Sequence, residues 1–135
     1  MRFVDTNVLL YLISTEPAER GKREVADELL GGRDLALSVQ VLQEFYVQAT
    51  RATRQDALTH RQAADLVTSF TRFPVQPMTM ELVQGAMAGR ERFRLSYWDA
   101  AILEAARLLG CVEVLSEDLS DGRDYDGVRV VNPFV

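Results

Sequence analysis

Short apolar runs that pass straight into helices recur along this chain, and that alternation limits the fold more than any other feature. Arg2-Phe3-Val4 is a β-like run closed by Asp5, after which Thr6-Asn7 supply cap-type residues ahead of the helical run Val8 to Ile13. Pro17 opens a second helix reaching Leu30, Gly31-Gly32 ends it, and Leu35-Ala36-Leu37 reads as a buried strand. Ser38 then caps a helix carrying Val39, Leu42, Phe45, Tyr46 and Ala49 at helical spacing. A further helix is expected over Thr59 to Phe73, an edge strand between Pro74 and Pro77, and a helix led by Thr79 to about Arg94. The clearest helix runs from Ser96 to Leu109 and stops at Gly110; strands follow at Cys111 to Ser116 and at Val128 to Val131, separated by a polar, turn-rich loop. Strands alternating with helices predict an α/β domain with a mostly parallel central sheet flanked by helices.

At 135 residues, with no internal repeat, linker or low-complexity tract, the chain reads as a single domain over 1–135. One cysteine, Cys111, and one histidine, His60, exclude an internal disulfide and a zinc site built from such ligands. The uncharged stretch Thr6 to Thr15 is too short to span a bilayer, and a cytoplasmic protein is expected. A net charge of −5 opposes nucleic-acid binding by bulk electrostatics. Local positive patches remain available, because Arg51, Arg54 and Arg61 fall close together, as do Arg90, Arg92 and Arg94.

In open parallel α/β sheets, functional groups gather beyond the carboxyl ends of the strands. Asp5 lies at such an end, where it reads equally as a turn or cap residue. Asp99 occupies the first turn of its helix, a position the helix dipole favours, yet Ile102, Leu103 and Ala106 on the same face are apolar. The eleven residues from Asp99 to Gly110 descend roughly 16 Å as helix, and Cys111 to Ser116 climb back roughly 17 Å as strand. Asp118 is thereby expected beside Asp99, on the edge that also holds Asp5. Glu44 projects outside the apolar arc of its helix and reads by periodicity as a surface residue, though near the same edge. The acids after Ser116, among them Glu117 and Asp121, read mainly as a solvated turn, and their spacing does not match a calcium loop.

Two carboxylates about 5 Å apart at an effective dielectric of about 20 repel by about 3 kcal/mol, so a cluster of them calls for a positive partner. No lysine is available nearby in sequence, since Lys22 is the only one in the chain. An all-carboxylate set is the hard-oxygen environment of Mg²⁺ or Mn²⁺, whose usual chemistry is hydrolysis of phosphate esters and phosphodiesters.

Four segments carry a resemblance: Val4-Asp5-Thr6-Asn7-Val8-Leu9, Gln43-Glu44-Phe45, Tyr97-Trp98-Asp99-Ala100-Ala101-Ile102 and Leu115-Ser116-Glu117-Asp118-Leu119. In order, spacing and total length the chain resembles PIN domains, in particular the VapC-type ribonuclease toxins of toxin–antitoxin pairs. The resemblance implies a PIN-like three-layer α/β sandwich. It also implies that Asp5, Glu44, Asp99 and Asp118 form the acidic metal-binding and catalytic quartet, with Asp5 and Asp99 as direct ligands. Thr6, Asn7 and Ser116 match orienting positions, and Asp121 stands as an assistant to Asp118 or its replacement. The implied activity is Mg²⁺-dependent endonucleolytic hydrolysis of RNA; the implied partners are a second copy in a homodimer and a small antitoxin whose C-terminal segment enters the cleft. Two other classes compete. A receiver-like phosphotransfer domain fits poorly, since Asp56 lies in a polar stretch and no lysine follows Lys22. A binding module that keeps the fold without catalysis would use the same acids to hold a basic segment.

Overall fold

The computed structural model describes residues 1–135. The order along the chain is β1 (Arg2–Val4), α1 (Thr6–Leu12), a 3₁₀ turn (Pro17–Glu19), α2 (Arg20–Leu30), β2 (Leu35–Ser38), α3 (Val39–Ala49), α4 (His60–Phe70), β3 (Val75–Gln76), α5 (Met80–Phe93), α6 (Tyr97–Leu108), β4 (Glu113–Leu115), β5 (Asp124–Tyr125) and β6 (Val128–Val131). The six strands form one sheet in the order β3-β2-β1-β4-β6-β5. All neighbours are parallel except β5 and β6. This is the mostly parallel α/β architecture expected from the alternation.

The strand order carries the main consequence for function. From β1 the chain steps outward to β2 and then β3, and it returns through α5 and α6 to add β4 on the opposite side of β1. Right-handed crossovers in opposite directions place the two sets of helices on opposite faces of the sheet. The reversal leaves a crevice beyond the carboxyl ends of β1 and β4, the topological switch point where ligands of open α/β sheets bind. The sheet centre is dry. Phe3 and Val4 of β1, Leu35 to Leu37 of β2 and Val114 and Leu115 of β4 are all buried, as strands covered on both faces must be.

Local chemistry explains the boundaries that differ from expectation. The segment after Pro17 begins as a 3₁₀ turn before α2. Thr59 and Gln62 form a reciprocal capping box, so α4 starts at His60. It ends at Phe70, three residues short of the expected Phe73, where the residue before Pro74 is steered away from helical geometry. Helix α5 stops at Phe93, and Arg94 takes a left-handed conformation with φ 55°. Gly110, at φ 78°, closes α6 in a Schellman arrangement: its N–H donates to the Arg107 carbonyl, and that of Cys111 to Ala106 at 2.9 Å. That capture of Cys111 shortens the expected strand to Glu113–Leu115. The loop read as polar and irregular contains β5, which turns into β6 through Asp126 and Gly127, both at positive φ. Asp-Gly is the dipeptide such a tight hairpin favours.

Candidate active site

Each acid reaches the crevice from a different segment. Asp5 directly follows β1, and its N–H donates to the Leu115 carbonyl at 3.0 Å, which binds the end of β1 to the end of β4. Its carboxylate receives the Thr6 N–H at 2.8 Å and the Ser116 hydroxyl at 2.7 Å, with the Asn7 amide at 3.4 Å. Glu44, one turn into α3, accepts from the Thr6 hydroxyl at 2.9 Å and from the Gln40 amide at 2.8 Å. Asp99 stands in the first turn of α6, where its backbone N–H donates to the Ser96 hydroxyl. Asp118, beyond β4, accepts from Asn7 Nδ2 at 3.1 Å, and its own N–H donates to Ser116 Oγ.

All four carboxylates line one cleft of about 140 Å³, together with Thr6, Asn7, Gln40, Gln48 and Trp98, and no cationic side chain lines it. Asp121 does not belong to that lining. Its carboxylate is turned to the Asn132 N–H at 2.8 Å, so of the two acids left open by the sequence it is Asp118 that faces the crevice. Ser116 is fully buried and serves Asp5, Asn7 and Asp118 at once.

The electrostatics follow from this geometry. Asp5 is only 7% exposed. Burial pushes its carboxyl up from 3.8 to about 6; Glu44 and Asp118 add repulsion, while the Ser116 hydroxyl and Thr6 N–H oppose the rise. Burial also raises Asp99, helped by the charges of Asp118 and Glu44 and opposed by Ser96. Yet no group of three or more Asp, Glu, His or Cys side chains is gathered tightly enough to hold an ion as it stands. The expected need for a positive charge is met differently in this conformation. Neutral amides and hydroxyls from Thr6, Asn7, Gln40 and Ser116 take up carboxylate lone pairs, while the upward displacement of Asp5 and Asp99 reflects burial together with the repulsion that remains.

Sequence reasoning missed three participants. Gln40, buried and one helical turn before Glu44, holds that acid in the cleft; the i, i+4 spacing of the two was the available signal. Glu117, read as a solvated turn residue, is half-buried. It accepts from Lys22 Nζ at 3.0 Å and from the Tyr11 hydroxyl, while its N–H donates to Asn7 Oδ1 at 3.3 Å. The lone lysine, remote in sequence, therefore sits next to the turn bearing Asp118. The arginine groups are partly spent: Arg54 pairs with Asp56 and Arg92 with Asp126.

A parallel α/β domain with an acid-lined cleft at its switch point is the class of protein that fold and site define. The chain belongs to the PIN domain family, whose model matches residues 2–120. Solved structures share the fold. A toxin–antitoxin complex from Klebsiella pneumoniae is similar at TM-score 0.70 and 22% identity, with 98% of each chain covered. The sarcin-ricin loop cleaving toxin VapC20 of Mycobacterium tuberculosis is similar at TM-score 0.67 and 24% identity, over 90% of this chain and 91% of that one. DNA-bound VapBC from Salmonella typhimurium is similar at 0.66 and 18%, over 96% and 95%. None of the curated proteins compared with the chain matches it.

Proposed function

We propose that this PIN domain is a divalent-metal-dependent endoribonuclease acting as the toxin of a toxin–antitoxin pair. One observation carries the reading: four carboxylates from four separate segments line a single cleft that contains no cationic side chain. The donor set is all oxygen, which fits Mg²⁺, or Mn²⁺, better than a softer ion. Asp5 and Asp99 would be its direct ligands, with Asp118 and Glu44 completing the set. Such an ion supplies an activated water and charge stabilisation at the phosphate being cleaved.

The chain's own residues do the rest. Ser116, Thr6 and Asn7 hold the acids in orientation through the bonds described above, a supporting role common around metal sites. Gln40 keeps Glu44 turned inward. Asp99 accepts none of the long-range bonds that tie Asp5 and Glu44, which leaves its carboxylate free to meet a cation. That VapC20 cleaves the sarcin-ricin loop supports RNA as substrate class, and the relatives solved as toxin–antitoxin complexes support a small antitoxin as partner. We extend the same reading to a homodimer working in the cytoplasm.

The test is cleavage of structured and unstructured RNA by the purified chain. Activity that needs Mg²⁺ or Mn²⁺, stops with EDTA and is lost in Asp99→Asn, while that variant keeps wild-type circular dichroism, is the expected result. Equal activity in wild type and Asp99→Asn would overturn it. The ungathered state of the carboxylates favours one second reading, a PIN-fold binding module without catalysis, and a folded wild-type protein inert toward RNA in Mg²⁺ would decide for it. Asp56, which the phosphotransfer reading would need, accepts the Thr15 N–H and pairs with Arg54 outside the cleft.

A further inference from the structure

Alongside the acid cleft lies an open groove of about 420 Å³ that shares Gln40, Glu44, Gln48 and Trp98 with it and continues past Gln43 to Arg51. Trp98, the residue before Asp99, is 60% exposed, a large flat apolar surface left bare at the mouth of the site. The indole is held in place. Tyr97 meets it edge-on with ring centroids 5.0 Å apart, and the Trp98 carbonyl accepts from Gln40 Nε2 at 3.3 Å. The same Gln40 amide donates to Glu44, so the backbone that carries the indole and the acid are tied through one side chain. At the far end, Arg51 is exposed and has no carboxylate partner.

We propose that this groove binds a single-stranded RNA segment flanking the cleavage point. One unpaired base stacks on Trp98, the amides of Gln43 and Gln48 meet that base's edge, and Arg51 takes a phosphate farther along the strand. The inference rests on the nuclease reading and adds to it where the substrate strand runs. Three features argue for nucleic acid over protein. A bare aromatic face accepts any base but only one that is out of a duplex. Three lining side chains, Gln40, Gln43 and Gln48, are amides that offer both donors and acceptors, as the edge of an unpaired base does. The groove also carries an unpaired guanidinium on a chain of net charge −5, which answers the bulk repulsion locally.

Trp98 is the only tryptophan, so emission excited beyond tyrosine absorption reports on the groove and the adjoining mouth of the cleft. Asp99→Asn protein in Mg²⁺ is titrated with a short oligoadenylate and with a duplex of equal length. Saturable quenching by the single strand and none by the duplex is expected. With a labelled oligoadenylate read by anisotropy in the same Asp99→Asn background, adding Trp98→Ala weakens binding by about 10- to 100-fold, and Trp98→Phe recovers part of the loss. Adding Arg51→Ala flattens the salt dependence of binding. Absent quenching and unchanged affinity on adding Trp98→Ala would overturn the groove assignment while leaving the nuclease reading intact, provided Asp99→Asn alone abolishes cleavage. Cleavage surviving in Asp99→Asn overturns the nuclease reading itself. Emission that follows protein concentration and ignores the oligonucleotide, with Trp98→Ala converting a dimer to monomer in sedimentation, gives the groove to a second copy of the chain and also overturns the proposal.

Discussion

Ser116 Oγ donates to Asp5 Oδ2 at 2.7 Å, joining the end of the fourth strand to the end of the first across 111 residues of sequence. The same oxygen accepts from Asn7 Nδ2 and from the Asp118 N–H, each at 3.1 Å. One buried hydroxyl therefore positions two of the four acids. Ser116→Ala leaves the Asp5 carboxylate short of a donor in a dry setting and is expected to cost about 1–3 kcal/mol, read from the urea midpoint. Stability equal to wild type would show that water or Asn7 replaces the hydroxyl without loss.

The pH dependence of the metal-free protein follows from Asp5. Its carboxyl stands at about 6 in the folded state against 3.8 for the ordinary group, so folding disfavours its ionised form. Above about pH 6 the penalty is complete, up to about 3 kcal/mol. As pH falls from 6 toward 3.8 the folded state takes up a proton that the unfolded chain does not yet hold, and the penalty is relieved. Asp5→Asn, which keeps a side chain able to cap the following helix, should be more stable than wild type at pH 7.5, with the difference shrinking by pH 5. A pH-independent difference would count against a raised Asp5.

Metal addition should act on the same repulsion. Mg²⁺ at about a hundredfold excess over its Kd is expected to raise the melting temperature of the wild-type chain by about 5–10 °C. In Asp99→Asn the rise is smaller, and without metal that variant melts at or above wild type, because it loses a carboxylate that Asp118 and Glu44 repel. A melting curve unmoved by Mg²⁺ and Mn²⁺ alike would sink the metal site.

Away from the cleft, Gly85 makes room for a buried acid. A Cβ at that position would fall inside contact distance of the Glu104 side chain, which is 9% exposed and held by Arg107 Nε at 3.0 Å. Gly85→Ala should destabilise by about 1–3 kcal/mol despite the better helix propensity of alanine. Combining it with Glu104→Ala should remove most of that added cost, a coupling that a double-mutant cycle measures. Additive effects would place the cost in the backbone instead.

Much of this protein was legible in its order of residues. Apolar runs, caps at Ser38, Thr79 and Ser96 and the glycine stop at Gly110 are local signals, and local signals encode local structure; hence the alternating elements and the mostly parallel sheet were readable. The descent of one helix and the return of one strand even placed Asp99 and Asp118 at a common edge. The turn at Asp126-Gly127 was legible as part of a polar, turn-rich loop, but strand β5 was not, because two residues are too short to show a periodicity.

Only the tertiary structure decided which way the side chains turn. Glu44 faces inward because Gln40 and Thr6 hold it, Asp121 faces away because the Asn132 N–H captures it, and Lys22 reaches Glu117 across 95 residues. None of these partners is near its acid in sequence except Gln40. Periodicity records which face of an element is apolar, whereas the direction of a carboxylate at a strand end depends on donors that arrive from elsewhere in the chain. The sequence by itself brought Asp5, Asp99 and Asp118 to one edge and left Glu44 near it; packing decided that Glu44 turns inward and which neutral donors hold the acids there.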